Sequence, residues 1–420
     1  MRLFPLAPVL TVMAMVGGLM ASVPAQASPW DSIRVWETAR VERVVDGDTV
    51  IVRDAVTNAP SRIRLLGINS PEKPTKQRAG WCGGWQAMDV LTELIPPGTT
   101  VRLLSADQTS RGKGRPQRVV LAQNKATGEF DLDVAWAMAE RGWGHWFTQR
   151  NEANMSSLYR AAIEGAQQRR VGIWDPKLCG EVEQPDAQIE MRIARSSSPL
   201  RLNDEWVEIQ NVGTAPVDLS GWTLRDAGNQ AWYTLPQGSV LTPGDYRVIH
   251  TGSGTAGRPN GQDVYRGYTT LLYPNPGREP NLIGDGAYLL DRFGNYRFWR
   301  EYPCTERCGP DPATGSIVIQ DLSLGKGKGQ RRNSTQYVRL LNQGPARVCL
   351  DAYQLRSQAL TYNIPAGTCL DPGATWTLHG GRSGATGAAV YLGRRQPMFY
   401  LSGSMTLVSD RDQVVVERSW

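Results

Sequence analysis

The sequence predicts an α+β barrel with about three helices, followed by two all-β sandwiches. In the first part of the chain, short apolar–polar alternations separated by turn residues occur together with three segments of helical spacing. Residues 176–187 interrupt this pattern and are predicted to form a linker. Beyond them, a segment of about 130 residues occurs twice, and both copies are rich in short strands and turns.

The first 27 residues have the pattern of a removed secretion signal. Arg2 gives a positive start, an apolar run covers about residues 6–19, and Ala25-Gln26-Ala27 matches a small-x-small cleavage site. The alternative is a retained N-terminal anchor, but the run is short for a bilayer span and contains a proline and two glycines. No other segment is predicted to cross a membrane. We therefore expect a secreted or cell-surface protein.

Six cysteines in an oxidising compartment predict about three disulfides. Pairing within each predicted domain gives Cys82–Cys179, Cys304–Cys308 and Cys349–Cys369. A zinc site at the second pair is disfavoured, because no further cysteine pair or nearby histidine completes a tetrahedral set.

The charge of +6 is concentrated in the barrel part of the chain. Residues 28–180 contain 21 Lys/Arg and 17 Asp/Glu, a difference of +4, whereas residues 181–420 contain 24 and 23, a difference of +1. A basic balance around the predicted barrel favours a polyanionic partner such as nucleic acid.

The barrel region is predicted to contain four strand segments and three helices. The strand segments are 41–53, 61–69, 100–105 and 117–123, and the helices are 77–95, 132–141 and 151–170. Gly83 and Gly84 weaken the first half of the first helix.

The two C-terminal copies match over several segments. These are 206–211 with 337–342, 218–225 with 349–356, and 241–244 with 370–373. His250 and His379 occupy equivalent positions, so a shared structural role is expected rather than metal binding. The predicted organisation is a signal peptide over 1–27, a barrel domain over 28–182, and sandwiches over 183–310 and 311–420.

Two motifs carry the predicted chemistry. They are Asp46-Gly-Asp48-Thr49-Val50 and Arg64-Leu-Leu-Gly-Ile-Asn69-Ser70-Pro71-Glu72. Their oxygen groups suit a hard cation, a guanidinium pairs with phosphoryl oxygens, and a carboxylate activates water. Taken singly, an Asp-Gly-Asp turn or an Arg–Glu pair is an ordinary structural feature. An EF-hand is excluded, because the loop lacks its closing glutamate.

With Gly114-Arg115 and Gly172-Ile-Trp174 further along, these motifs make residues 41–175 resemble the staphylococcal nuclease (thermonuclease) family. The resemblance implies an OB-fold barrel and calcium-dependent hydrolysis of DNA and RNA, with 3′-phosphate products. It implies calcium ligands at Asp48, Asn69 and the Ser70 carbonyl, water-mediated contacts from Asp46 and Thr49, a general base at Glu72, and phosphate-binding side chains at Arg64 and Arg115.

Three features qualify this resemblance. The family has aspartate where this chain has Asn69, which predicts weaker calcium binding or an altered metal preference, and Asn69→Asp should then lower the calcium requirement. Arg118 is an alternative to Arg115. The family's base-stacking tyrosines are replaced by other aromatic residues within 142–147, which could stack bases or pack in the core.

The two C-terminal copies resemble lamin-tail domains, which are immunoglobulin-like sandwiches. The first copy matches well, whereas the second is degenerate, with Arg339 in place of Glu208 and Tyr353 in place of Trp222. The resemblance implies binding or tethering, to nucleic acid or to the cell envelope. A basic run over residues 326–332 could hold DNA or form a charged hairpin loop.

The combined expectation is a secreted, monomeric, calcium-dependent nuclease with two accessory domains and DNA or RNA as substrate. Two alternatives stay open: a nucleic-acid-binding protein with little or no turnover, and an envelope adhesion protein with incidental hydrolysis.

Overall fold

Five strands of the N-terminal region close into a barrel, an OB-like arrangement. The strands of this region are β1 (Val35–Asp46), β2 (Thr49–Asp54), β3 (Pro60–Leu65), β4 (Ile68–Asn69), β5 (Thr100–Ser105), β6 (Arg111–Gly112), β7 (Arg115–Gln123), β8 (Phe130–Asp133) and β9 (His145–Trp146). The sheet order is β3-β2-β1-β5-β7, and parallel pairing of β3 with β7 closes the ring. Burial alternates in β1 around Ala39 and Val41, as a period of two predicts, whereas β7 is buried without a break over residues 117–122.

The computed structural model describes residues 35–76, 80–112, 114–124, 126–148, 152, 158–196, 198–228, 232–255, 262–273, 284–304, 309–381, 388–393 and 396–420. The predicted secretion signal lies outside these residues. Among the described residues, no helix has the length and apolarity that crossing a bilayer requires.

Three described α-helices accompany the barrel: α1 (Gly84–Leu94), α2 (Val134–Glu140) and α3 (Leu158–Arg169). The first predicted helix begins only at Gly84, because Gly83 before it has a left-handed φ of 86°. The predicted strand over 41–53 is divided by a turn at Gly47. A Cβ there would lie 2.6 Å from both Ala87 Cβ and Ser70 Oγ, so the turn requires glycine to pack against α1.

Two β-sandwiches follow the barrel. The first (189–302) contains β10 (Ile189–Ala194), β11 (Trp206–Asn211), β12 (Val217–Asp218), β13 (Thr223–Asp226), β14 (Trp232–Thr234), β15 (Val240–Leu241), β16 (Tyr246–His250), β17 (Asp263–Tyr265), β18 (Asp285–Leu290) and β19 (Tyr296–Tyr302). Its sheets have the orders β10-β11-β16-β17 and β14-β13-β18-β19, with β12 paired to β15.

The second sandwich (317–419) has the same strand order. It contains β20 (Ile317–Ser323), β21 (Tyr337–Asn342), β22 (Val348–Cys349), β23 (Gln354–Arg356), β24 (Thr361–Asn363), β25 (Cys369–Leu370), β26 (Thr375–His379), β27 (Ala389–Tyr391), β28 (Ser404–Val408) and β29 (Val414–Ser419), with α4 (Gly329–Ser334) between β20 and β21. Its sheets run β20-β21-β26-β27 and β24-β23-β28-β29, with β22 paired to β25. The predicted repeat is therefore confirmed strand by strand.

Two of the predicted disulfides are present, Cys82–Cys179 and Cys349–Cys369. The third predicted pair includes Cys308, which lies outside the described residues. The hydrophobic core of the barrel includes Ala227, Tyr288 and Tyr296 of the first sandwich. The barrel and this sandwich are thus packed around a shared set of buried side chains.

Candidate active site

The turn between β1 and β2 brings Asp46 and Asp48 to one end of the barrel. Strand β3 runs beside β2 with Thr49 opposite Arg64, so the cross-strand register places the arginine next to the turn. The backbone NH of Leu65 donates to the carbonyl oxygen of Asp48 at 2.8 Å, which holds the two segments together.

Asp48 is the centre of the hydrogen-bond network. Its Oδ1 accepts from Thr49 Oγ1 at 2.9 Å and from Arg64 Nη1 at 2.7 Å. Its Oδ2 accepts from the backbone NH of Ser70 at 3.0 Å. The side chain is almost completely buried. These charge-assisted bonds fix the carboxylate in one orientation.

Arg64 links the two predicted calcium ligands. While Nη1 binds Asp48, Nη2 donates to Asn69 Oδ1. The guanidinium carbon also lies 5.6 Å from the centroid of the Phe147 ring. The arginine is therefore buried and held on three sides.

Arg115 reaches the same site, whereas Arg118 does not. Arg115 Nη1 donates to Thr49 Oγ1 at 3.1 Å. Burial, followed by the charge of Arg64, lowers the pKa of Arg115. Arg118 is buried and donates to the carbonyl oxygens of residues 108, 110 and 117. Arg118 thus supports the loop, and Arg115 is the second cation beside Asp48.

Asp46 lies in an electrostatically unfavourable position. Burial, the charge of Asp48 and, more weakly, that of Glu72 raise its pKa to about 7. Its Oδ1 accepts from the Asp48 backbone NH at 3.2 Å. Glu72 is half-buried, and its backbone carbonyl accepts from the NH of Trp81 at 2.8 Å. The three carboxylates thus share one region, which a bound cation would stabilise.

The first sandwich contacts the site through Asn69. Asn69 Nδ2 donates to the backbone carbonyl of Ala227, directly after β13, at 2.7 Å. An aspartate has no donor for this bond, so the amide at position 69 is explained by a contact that is 158 residues away in sequence. The sequence shows that Asn69 stands where the resembled family has aspartate, but it does not show that Asn69 contacts Ala227.

His145 lies beneath the site and is not a candidate base. Its Nδ1 is 3.1 Å from the backbone oxygen of Asn69, and its ring packs against Trp174, Tyr288 and Tyr296. Complete burial, followed by the charge of Arg225, holds its pKa well below the ordinary value. The neighbouring Trp146 is also buried, so these two rings pack in the core and are not exposed for base stacking.

Further polar contacts join the barrel to the first sandwich. Arg160 of α3 forms an ion pair with Glu301 at 3.2 Å, and Gln167 donates to the same carboxylate at 3.0 Å. Thr148 Oγ1 donates to the carbonyl of Gly284 at 2.9 Å. The contact at Asn69 is therefore part of a broad, ordered interface.

The donor groups fit calcium in kind. Carboxylate, amide and carbonyl oxygens are the ligands that calcium prefers, and a cation would offset both the burial of Asp46 and the nearby charge of Asp48 that raise its pKa. The spacing of these groups fits calcium less closely. Among the described residues, the one group of three acidic, histidine or cysteine ligands within 4.8 Å is Cys349, Asp351 and Cys369, whose cysteines form a disulfide. Asp46, Asp48 and Glu72 are more widely spaced.

A cavity of about 850 Å³ lies elsewhere in the same interface. Its lining includes Trp174, Lys177, Arg297 and Trp299, and it contains none of the predicted site residues. Volume alone therefore does not identify the chemical site in this molecule.

Comparison with known proteins supports the first sandwich independently. The family model of the lamin tail domain matches residues 187–302. No curated protein matches the chain.

Proposed function

We propose that this protein is a secreted, calcium-dependent phosphodiesterase that cleaves DNA, RNA or both. The observation that carries the proposal is the convergence of Asp48, Arg64 and Asn69 in one buried network, with Arg115 at its edge and Glu72 nearby. An arrangement of oxygen ligands beside two guanidinium groups suits a phosphodiester better than an uncharged substrate.

The roles follow from the chemistry of each side chain. Arg64 and Arg115 would donate to the non-bridging oxygens of the phosphate and offset the charge that accumulates as phosphorus becomes five-coordinate. Glu72 would remove a proton from the attacking water. Thr49 and the backbone NH of Ser70 hold the Asp48 carboxylate in place.

Asp48, Asn69 and the Ser70 carbonyl are the residues that would hold calcium, with Asp46 and Thr49 contacting it through water. When bound, the ion would supply positive charge to the phosphoryl oxygen. Because Arg64 already binds Asp48 and Asn69, it would share these oxygens with the ion.

Secretion is supported by the predicted signal and by two disulfides, which form in oxidising compartments. For the two sandwiches, we propose binding of nucleic acid or of a cell-envelope component in addition to the packing described above.

The test is cleavage of single-stranded DNA and of RNA by the purified protein, with calcium and with a chelator. We expect calcium-dependent product, a loss of about 10²- to 10⁴-fold in rate for Glu72→Gln, and a large loss for Arg115→Ala. Arg111→Ala is the matched control, since Arg111 is an exposed arginine of the same loop whose Nη1 donates to the Gly114 carbonyl. Cleavage that survives both the chelator and Glu72→Gln would refute the proposal.

A second candidate function is nucleic-acid binding without efficient turnover. It is favoured by the ion pair of Arg64 with Asp48, which occupies a carboxylate that calcium needs. Calcium-independent binding of DNA without any product would support this alternative over the first.

A further inference from the structure

Three tryptophans are linked to residues 72–73 by direct or successive contacts, and two of them are exposed. Trp85, in the first turn of α1, is 50% exposed, and Trp232, in β14 of the first sandwich, is 46% exposed. Trp81 lies between the two elements, and its backbone NH binds the Glu72 carbonyl at 2.8 Å. Exposed indole rings are costly for a soluble surface, so a cluster of them indicates a binding role.

The rings are held in defined positions. Trp81 and Trp232 meet edge to face, with ring centroids 4.9 Å apart and an interplanar angle of 60°. The Arg225 guanidinium lies 4.1 Å from the centroid of Trp81 and donates to Tyr296 OH at 2.8 Å. Arg225 is itself buried, so it supports Trp81 from within the sandwich.

A cation accompanies the exposed ring of α1. Lys73 Nζ lies 5.1 Å from the centroid of Trp85. Lys73 directly follows Glu72 in the chain, so this cation–π pair is attached to the same segment as the proposed general base.

The second sandwich indicates that Trp232 is not required by the fold. In the first sandwich Trp232 is paired with Arg225, and in the second the equivalent strand pair joins Thr361 to Arg356. The same strand position thus accepts threonine. The tryptophan occurs only in the copy that contacts Trp81, within the part of the chain that the structure describes.

We propose that Trp81, Trp85 and Trp232 form a tryptophan platform on which bases of single-stranded nucleic acid stack while the adjoining phosphate enters the site at Glu72. Single strands fit because their bases are free to stack, and stacking on indole tolerates any sequence. Lys73 would contact the phosphate backbone. This inference rests on the proposed function, which assigns the chemistry to Glu72. It makes the first sandwich a part of the substrate-binding surface.

The test uses binding rather than cleavage. A labelled eight-nucleotide oligothymidylate and an abasic oligomer of equal length are titrated against the intact protein in chelator, where turnover is suppressed. We expect the wild type to prefer the base-containing strand. Trp232→Thr, which copies the second sandwich, should weaken binding of that strand by about 5- to 150-fold, as expected for loss of one stacked base. Binding of the abasic strand should be unchanged.

Trp136→Thr is the matched control. Trp136 has the same 46% exposure but makes no ring or cation–π contact among the described residues. It should bind both strands as the wild type does. Trp85→Ala provides a second variant on a different element, in case Trp232→Thr does not fold.

The outcomes separate this inference from the proposed function. Equal binding of the two strands by the wild type, or no effect of either platform variant in a folded protein, would overturn the platform even if cleavage is observed. A base-dependent preference that the platform variants remove would support it even if no cleavage occurs. Binding of an apolar peptide in place of either strand would indicate a protein partner and would also overturn it.

Discussion

The two sandwiches share a fold but differ where the first one meets the barrel. Asn211 and Asn342 occupy the same position and make the same bonds. Each Nδ2 donates to two carbonyl oxygens at 2.8–2.9 Å, and each Oδ1 accepts a backbone NH two residues later at 2.9 Å. His250 and His379 likewise stack on Tyr265 and Tyr391. Features that both copies retain therefore belong to the fold.

In one ion pair the positive and negative side chains have exchanged strands between the two copies, and the pair itself is kept. In the first sandwich Arg192 of β10 is paired with Glu208 of β11, whereas in the second Asp321 is paired with Arg339. Both pairs form ion pairs, at 3.1 and 3.3 Å. The substitution that makes the second copy look degenerate is thus compensated on the neighbouring strand.

Two further differences concern the barrel. Arg225 supports Trp81, but its counterpart Arg356 binds Asp412 at 2.5 Å within the second sandwich. Trp232 is replaced by Thr361. The comparison teaches that the first sandwich has the same framework as the second, with residues that contact the barrel at Trp81.

The largest expected effect is on stability. It compares the loss of a buried ion pair between the barrel and the first sandwich with the loss of an exposed ion pair in the second sandwich. Glu301→Ala removes the partner of Arg160, and both side chains are about 2% exposed. We expect a loss of about 3 kcal/mol in the free energy of unfolding, because among the described residues the buried arginine then keeps Glu164 as its one ion-pair partner. Asp321→Ala breaks a pair that is more than a third exposed and should cost about 1 kcal/mol or less. Denaturant titration measures both losses of stability. Equal losses would mean that the buried ion pair between Arg160 and Glu301 contributes no more than the exposed pair.

The next effect concerns the contact between Asn69 and the sandwich. Asn69→Asp keeps an acceptor for Arg64 but places a carboxylate oxygen against the Ala227 carbonyl. We expect the loss of this buried bond to cost about 1–3 kcal/mol of stability. The added charge should at the same time lower the calcium concentration needed for half-maximal activity.

Thermal unfolding and a calcium titration of cleavage measure these two effects separately. Asn211→Asp is a useful control, since it also removes a buried amide donor but lies within the first sandwich and outside the site. A stable Asn69→Asp protein with an unchanged calcium requirement would argue against both the contact with Ala227 and the ligand role.

Local patterns in the sequence predicted more of the fold than of the site's surroundings. Most strands, the helices and the repeat are encoded by neighbouring residues and are found in the structure, although the helix predicted from residue 77 begins only at Gly84. The two motifs also come together, because β2 and β3 are adjacent in sequence and pair as a hairpin. Short-range pairing is set by pattern and turn chemistry.

The surroundings could not be predicted, because they depend on how distant surfaces pack. Asn69 meets Ala227, and Trp81 meets Trp232, across about 150 residues with no local signal for either contact. The charge reversal did leave a signal. That signal is the acidic Asp321 near the start of the second copy, but counting residues from Ile317 would have placed Gln320 opposite Arg339, because a bulge between Ile319 and Asp321 shifts the register by one.

The charge reversal can also be tested through the pH dependence of stability. Burial and the charge of Asp351 raise the pKa of Glu208 to about 8, although Arg192 opposes this, and Glu190 adds a further negative charge. Because the folded state keeps a proton that the unfolded state releases, this carboxyl stabilises the fold below about pH 4.5, and its contribution is lost as the pH rises to about 8. The thermal midpoint should therefore fall across that window.

The thermal midpoint of Glu208→Gln should match that of the wild type near pH 5 and exceed it near pH 8, by about 2–4 °C for each 1 kcal/mol recovered. Arg339→Gln, the equivalent change in the second sandwich, removes no buried acid and should leave the slope of the profile unchanged. Parallel profiles for Glu208→Gln and the wild type would show that Arg192 keeps Glu208 ionised, and the two sandwiches would then respond to pH alike.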